Sequence, residues 1–315
     1  MKTIIIKILD LLLLPLVIPS GFLLKFIRKI GLHKFTFSRK ALIKIGVIPV
    51  IDHYYDPFFS KKDLKIPLNE ERNLPAINWN IEEQLKTLKS FNYSSEFEKF
   101  PSGYKDDLSF HFDNGSFCSG DAEYWYNIIR NKKPKRIIEI GSGHSTKIAR
   151  NAILKNKELD NNYDCEHICI EPFEMPWLEK LGIKIIREKV ENIEIDFFKT
   201  LNENDILFID SSHIIKPQGD VLFEYLEILP SLNKGVIVHV HDIFSPRNYI
   251  KEWVFEEYKL WNEQYLLEAF LSSNSNWRII GAVNLLKHNY YKELLKQCPR
   301  LTVNREPGSF YIVKN

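Results

Sequence analysis

Two short runs place ionisable side chains where apolar stretches end. Leu207-Phe208-Ile209-Asp210-Ser211-Ser212-His213 sets Asp210 at the end of one, with His213 three residues on. Gly235-Val236-Ile237-Val238-His239-Val240-His241-Asp242-Ile243-Phe244 carries His239, His241 and Asp242 through the end of another. An imidazole titrates near neutral pH, so His213, with Asp210 and His241, forms a candidate catalytic set in which His213 is the favoured base. Asp210, His213, His241 and Asp242 are also a ligand set for a divalent metal. Magnesium favours an all-oxygen shell, whereas manganese, iron and zinc accept imidazole nitrogen. Alternation along a strand puts His239 and His241 on one face unless His241 already lies in the loop. The alternative to a functional role is that one histidine is a satisfied core group and another a helix-capping or loop residue.

A second pair of motifs is suited to holding a ligand. Glu139-Ile140-Gly141-Ser142-Gly143-His144-Ser145 puts two glycines directly after an apolar run. Glycine permits a sharp turn and close approach of backbone to a ligand, although a single Gly-x-Gly is equally an ordinary turn. Ile168-Cys169-Ile170-Glu171-Pro172 places Glu171 at the end of the next run. A carboxylate there can accept two hydrogen bonds from ribose hydroxyls of an adenosine cofactor, or cap the following helix.

These motifs need a scaffold that brings strand ends together. Apolar runs at 136–140, 167–170, 183–186, 205–209 and 235–240 alternate with helical patterns at 120–131, from about 145, and at 217–229. A long helix is expected over about 250–273, carrying Trp253, Trp261, Asn262, Glu263 and Tyr265, with strands near 277–283 and 309–313. Such alternation predicts an α/β fold with a mostly parallel sheet covered on both faces. Carboxyl ends of neighbouring strands then converge on one crevice.

In the order EIGSGHS, ICIEP, LFIDSSH and GVIVHVHDIF, residues 117–315 resemble the class I methyltransferases that use S-adenosyl-L-methionine (SAM). The resemblance is to the small-molecule type with an Ile-Asp-x-x-His element and a later His-Asp element. It implies a Rossmann-like, seven-stranded, mostly parallel sheet and methyl transfer to a small-molecule acceptor, with oxygen the favoured atom. It maps the cofactor's amino-acid portion onto Glu139, Gly141 and Gly143, and its ribose onto Glu171. The adenine maps onto Glu191, and the sulfonium or the substrate onto Asp210. Some relatives of this type bind magnesium at these strand ends. The third glycine of a dinucleotide fingerprint is missing, which disfavours an NAD enzyme. A metal-dependent oxygenase or hydrolase on the same fold, and a noncatalytic membrane scaffold, are the competing readings.

The remaining sequence divides unevenly. Residues 1–50 hold nine lysines and arginines against one acidic residue, while the whole chain of 315 residues has a net charge of +2. Their first half, through Phe26, is strongly apolar, interrupted by Lys7 and Asp10 and by Pro15 and Pro19, which are expected to divide any helix. An apolar segment followed by a basic band suits attachment to the anionic cytoplasmic face of a membrane more than full spanning. The expected organisation is therefore a membrane-associating segment at 1–50, a cap or linker at 51–116 and the catalytic domain at 117–315. The His53–Phe59 aromatic cluster is a candidate lid. Basic residues concentrate in the apolar arm and no aromatic-basic track crosses the body, so nucleic acid is not an expected partner. The four cysteines lack the paired spacing of a zinc site and read as free thiols. Oligomeric state leaves no mark on the sequence.

Overall fold

The computed structural model describes residues 2–315, with side chains from Ile4 onward, so Met1 of the expected 1–50 segment lies outside the described residues. Two compact units emerge, Met1–Pro67 and Leu68–Asn315.

The first unit carries α1 (Lys2–Ile30) and α2 (Thr36–Ile45). Pro15 and Pro19 sit inside α1, which runs through both without dividing. Apolar side chains from Ile4 to Phe26 are exposed along the helix, Leu12 and Phe22 among them. Near its end, Arg28 is ion-paired with Asp56. Tyr54 and Tyr55, from the candidate lid, belong to this unit and are exposed.

The second unit begins with α3 (Ile81–Lys89) and α4 (Asp121–Lys132), followed by β1 (Arg136–Ile140), α5 (His144–Leu159) and β2 (Glu166–Ile170). Next come β3 (Lys184–Ile186), α6 (Ile195–Phe198) and β4 (Ile206–Ile209). Helix α7 (Asp220–Phe223) runs through a widened π turn, Glu224–Ile228, into α8 (Leu229–Ser231). After β5 (Ile237–Val240) follow α9 (Lys251–Phe255), α10 (Glu263–Leu271) and β6 (Trp277–Ala282). Helices α11 (Val283–Asn289) and α12 (Tyr291–Gln297) precede β7 (Phe310–Lys314).

The seven strands form one sheet in the order β3-β2-β1-β4-β5-β7-β6, with β7 antiparallel to both neighbours and the pairs among β1–β5 parallel. This is a Rossmann-like architecture. The chain steps outward from β1 to β2 and β3, then returns to the other side of β1 as β4. That reversal leaves a crevice at the carboxyl ends of β1 and β4. Period-two alternation splits the strand side chains between two cores. Ile137, Ile206, Phe208, Ile237 and Tyr311 pack with Trp125, Ile128 and Ile129 of α4 and with Ile148 and Ala152 of α5. On the other face, Ile138, Ile140, Leu207, Ile209, Val238 and Ile312 pack with Tyr225, Ile228, Leu267 and Leu271.

Two expectations differ from what forms. The division expected between 51–116 and 117–315 falls instead between Pro67 and Leu68, and Leu88, Phe91, Phe97, Phe110 and Phe112 belong to the α4–α5 core. Their aromatic content buries large apolar area without a periodic pattern to announce it. The helix expected over 250–273 is interrupted between Phe255 and Glu263. Lys259 packs its ammonium 3.9 Å from the Trp253 ring centre and 4.3 Å from that of Trp261, and the Asn262 side chain accepts the Ile215 N–H. These tertiary contacts outweigh local helical preference, which is worth only a few tenths of a kcal/mol per residue, ~0.5 being typical.

Candidate active site

The turn after β1 is shaped by close packing. Gly141 has φ +84°, and a Cβ there would lie 2.1 Å from the Asp210 carbonyl oxygen, so no larger residue fits against the end of β4. Gly143 is extended, and a Cβ added to it would meet nothing within 4 Å. Its backbone is therefore approachable.

Glu171 ends β2 and turns towards this loop. Its Oε2 accepts the Ser142 N–H at 3.2 Å, and Oε1 accepts the Phe173 N–H at 3.0 Å. The carboxylate is buried and fixed, yet each oxygen keeps a lone pair for a further donor. A diol is the natural complement to two such acceptors. Glu191 lies on a short 3-10 turn, Val190–Asn192, beyond β3, partly buried.

Glu139 is placed differently from the other candidates. It lies inside the sheet, fully buried, where Oε2 sits 3.1 Å from His167 Nε2 and 3.2 Å from Cys169 Sγ. Its Oε1 has no hydrogen-bond partner among the described residues. The three residues form a sealed polar cluster beneath the glycine turn.

The chemistry-bearing groups gather at the ends of β4 and β5. His213 Nε2 lies 3.2 Å from Asp210 Oδ1 and 3.6 Å from Asp242 Oδ2. Its Nδ1–H donates to Glu263 Oε2 at 2.7 Å, and Glu263 Oε1 accepts from the Tyr225 hydroxyl at 3.1 Å. The loops are stapled as well: the backbone N–H groups of Asn262 and Glu263 both donate to the His213 carbonyl. Trp261 closes one side, its ring centre 4.2 Å from that of the imidazole. His213 and Asp242 both adopt positive φ, 59° and 58°, conformations that cost non-glycine residues about 1 kcal/mol or more and collect at functional sites. The result is one imidazole locked in place with Nε2 aimed between two carboxylates.

Proton affinities follow from this arrangement. Burial opposes a charge on His213, but the hydrogen bonds to Asp210 and Glu263 outweigh it and raise its pKa well above that of free imidazole. Burial likewise opposes ionisation of Asp210, yet the His213 hydrogen bond and the His241 charge bring its pKa below the usual value. Asp242 is pushed the other way by burial, against the pull of His241 and His213. His213 therefore keeps its proton at neutral pH, unless a cation takes that proton's place. In this state it is a donor rather than the free base expected from its type.

His241 stands behind Asp242, with Nε2 3.5 Å from Asp242 Oδ1 and its ring against Phe117 at 4.9 Å. Burial lowers its proton affinity, but Asp242, Asp210 and Asp121 together raise it above the ordinary value. At these strand ends the ligand atoms of Asp210, His213 and Asp242 come mutually within 4.8 Å, without His241; those of the buried Glu139, His167 and Cys169 do so inside the sheet. His239 is a core residue, packed on Phe208 and Tyr311 at 4.4 Å, and burial pushes its pKa well down. Two carboxylates and one carboxylate-backed imidazole suit a divalent cation: a metal-binding histidine commonly donates its other N–H to an acid, as His213 does to Glu263. Glu263 and Trp261 stood out only as residues of the expected 250–273 helix, and nothing in the sequence paired them with His213.

Residues 138–243 match the family model of a methyltransferase domain. An uncharacterised protein of Archaeoglobus fulgidus is 29% identical over 177 residues, covering 52% of this chain and 78% of its own. Among solved structures, the O-methyltransferase TomG of Streptomyces achromogenes, in complex with SAM, aligns with a TM-score of 0.37 and 13% identity. It covers 76% of this chain and 92% of its own. An O-methyltransferase from Bacillus cereus, in complex with SAH, aligns with a TM-score of 0.32 and 11% identity, covering 75% and 98%.

Proposed function

We propose that this chain, whose body is a class I SAM-dependent methyltransferase domain, methylates a hydroxyl oxygen of a small molecule with help from a divalent cation. The observation that carries the reading is the convergence of two things on one crevice: the Glu171 carboxylate facing the glycine turn, and the His213–Asp210–Asp242 group next to it. When bound, SAM supplies a methyl group already activated on sulfonium. Glu171 holds the ribose hydroxyls, the unobstructed Gly143 backbone admits the amino-acid portion, and Glu191 is assigned to the adenine. Glu139 supports the turn from below.

Asp210, His213 and Asp242 would hold the cation, which would lower the pKa of an acceptor hydroxyl and draw charge away from its oxygen. Glu263 keeps His213 in the tautomer and orientation this requires. The acceptor's proton would pass to His241, which is not one of the cation's ligands and stands 3.5 Å behind Asp242. Holding acceptor and methyl in line supplies much of the rate. The test is transfer of labelled methyl from SAM to a small-molecule extract, with and without manganese, magnesium, iron or zinc after chelation. Label in small molecules that depends on one of these ions supports the reading; label in protein or nucleic acid alone contradicts it.

We further propose that α1 holds the enzyme to the cytoplasmic face of an anionic membrane. A helix of 29 residues is about 43 Å long, enough to cross a hydrocarbon core of about 30 Å. Its apolar side chains are exposed on every face, and Lys25, Arg28, Lys29, Lys34, Arg39 and Lys40 follow where headgroups would lie. Proline inside a helix is tolerated in lipid. Flotation with anionic vesicles, lost on deleting residues 2–30, is the expected result; equal flotation of the deleted protein would refute the anchor.

A further inference from the structure

We propose that a cavity on the outer face of α5 is a second ligand site, built for a phosphate ester and separate from the methyl-transfer crevice. The cavity has a volume of about 580 Å³, within the range of small-molecule sites. None of the crevice residues lines it. Its walls come from α5 and from the segments around 96–110 and 180–181.

Charge is what sets it apart. Lys99, Lys105, Lys147, Arg150, Lys155 and Lys180 line it against two carboxylates, Glu96 and Glu158. Both carboxylates are already engaged, Glu96 with Arg130 at 2.8 Å and Glu158 with Lys155 at 2.7 Å. Lys147 is the decisive residue. It is only 6% exposed, and its ammonium lies over the Trp177 ring, 4.3 Å from the centre. Asp106 and Asp107 act on it through space and not by contact, their oxygens being turned to neutral donors. Asp106 accepts from Leu108 and Ser109, and Asp107 from the Tyr104 hydroxyl. Arg150 Nε, one helical turn along, is buried without a partner among the described residues.

A largely buried cation that no carboxylate touches is poorly solvated, and an arriving anion offsets that cost. Several donors of one sign favour a compact dianion over a single carboxylate, because each oxygen can meet a separate ammonium or guanidinium. The remaining wall, from Phe100, Leu108, Phe110, Leu154 and Leu181, is apolar and suits the organic part of an ester.

Calorimetry on the full chain in mild detergent tests this with phenyl phosphate, inorganic phosphate and phenol. Phenyl phosphate is expected to bind more tightly than phosphate, and phenol not to bind. Saturating SAH should leave the affinity unchanged, since the crevice is elsewhere. Lys147→Gln with Arg150→Gln should weaken binding by about 30-fold or more, and Lys180→Glu on the rim by about threefold, in line with losing charge-assisted contacts. Lys180 is exposed, so its variant remains informative if the buried pair of changes destabilises the fold. Absence of phenyl phosphate binding, displacement by SAH, or indifference to the rim variant would each overturn the proposal.

Discussion

The chain builds two histidine–carboxylate clusters from similar parts, and their positions set them apart. His167 meets Glu139 and Cys169 in mid-strand, where all three are buried and each contact is internal. His213 meets Asp210, Asp242 and Glu263 past the strand ends, where Asp210 is still about a third exposed, with its side chain at 36%. The first cluster is closed off from solvent, with Glu139 Oε1 and His167 Nδ1 left unpartnered among the described residues. The second is fixed from behind by Glu263 and points its free face at the crevice. Side-chain type alone does not make a reactive site; access on one face and rigid support on the other do.

The sharpest way to break this contrast is to remove each histidine. His213→Ala should cut methyl transfer to the extract by roughly 100-fold or more while the protein remains folded, beyond an outer-shell change, because it removes a ligand of the activating cation. A fall of less than threefold would show that the two clusters do not differ in role. His167→Leu should instead leave transfer per folded molecule nearly unchanged and cost about 3 kcal/mol in denaturant unfolding. It strands the Glu139 carboxylate in the core. Glu263→Gln sharpens the point about support: shape is kept, charge is lost, and both metal content and rate should fall by about tenfold, the scale of outer-shell effects.

A third cluster provides a solvent-screened benchmark. Glu306 contacts Lys287 and His288, and its side chain is 33% exposed. Burial opposes its ionisation, but hydrogen bonds from His288 and Lys287 bring its pKa from 4.5 down to about 2. Its stabilisation is therefore fully present above the unfolded value and is lost as pH falls from about 4.5 through 2. Glu306→Gln should lower stability by about 1 kcal/mol at pH 7, discounted for exposure. The difference between variant and parent should vanish near pH 2 in pH-dependent unfolding. A constant difference across pH would show that packing, not charge, explains it.

The parallel strands were legible because buried runs such as Ile137–Ile140 and Ile206–Ile209 are nearly continuous in apolar residues and end in polar ones. Gly141 and Glu171 stood out for the same reason, each lying directly after such a run. What stayed hidden depends on distance along the chain. Glu263 is 50 residues from the histidine it orients, and nothing in the sequence pairs the two. Glu139 looked like a crevice residue, since only the register with Cys169 and its contact with His167 reveal that it points into the sheet. The aromatic residues of 91–112 carried no period at all, so their place in the core could not be read from spacing.

The central claim is tested most directly by calorimetric binding of SAH to the parent protein and to Glu171→Ala. Losing a carboxylate that pairs with two hydroxyls should weaken binding by about 30-fold or more, with each such bond worth about 1.5 kcal/mol or above. Micromolar binding in the parent with that loss in the variant is the predicted result. Equal affinity in both proteins would place the nucleoside somewhere other than beside Glu171 and contradict the account.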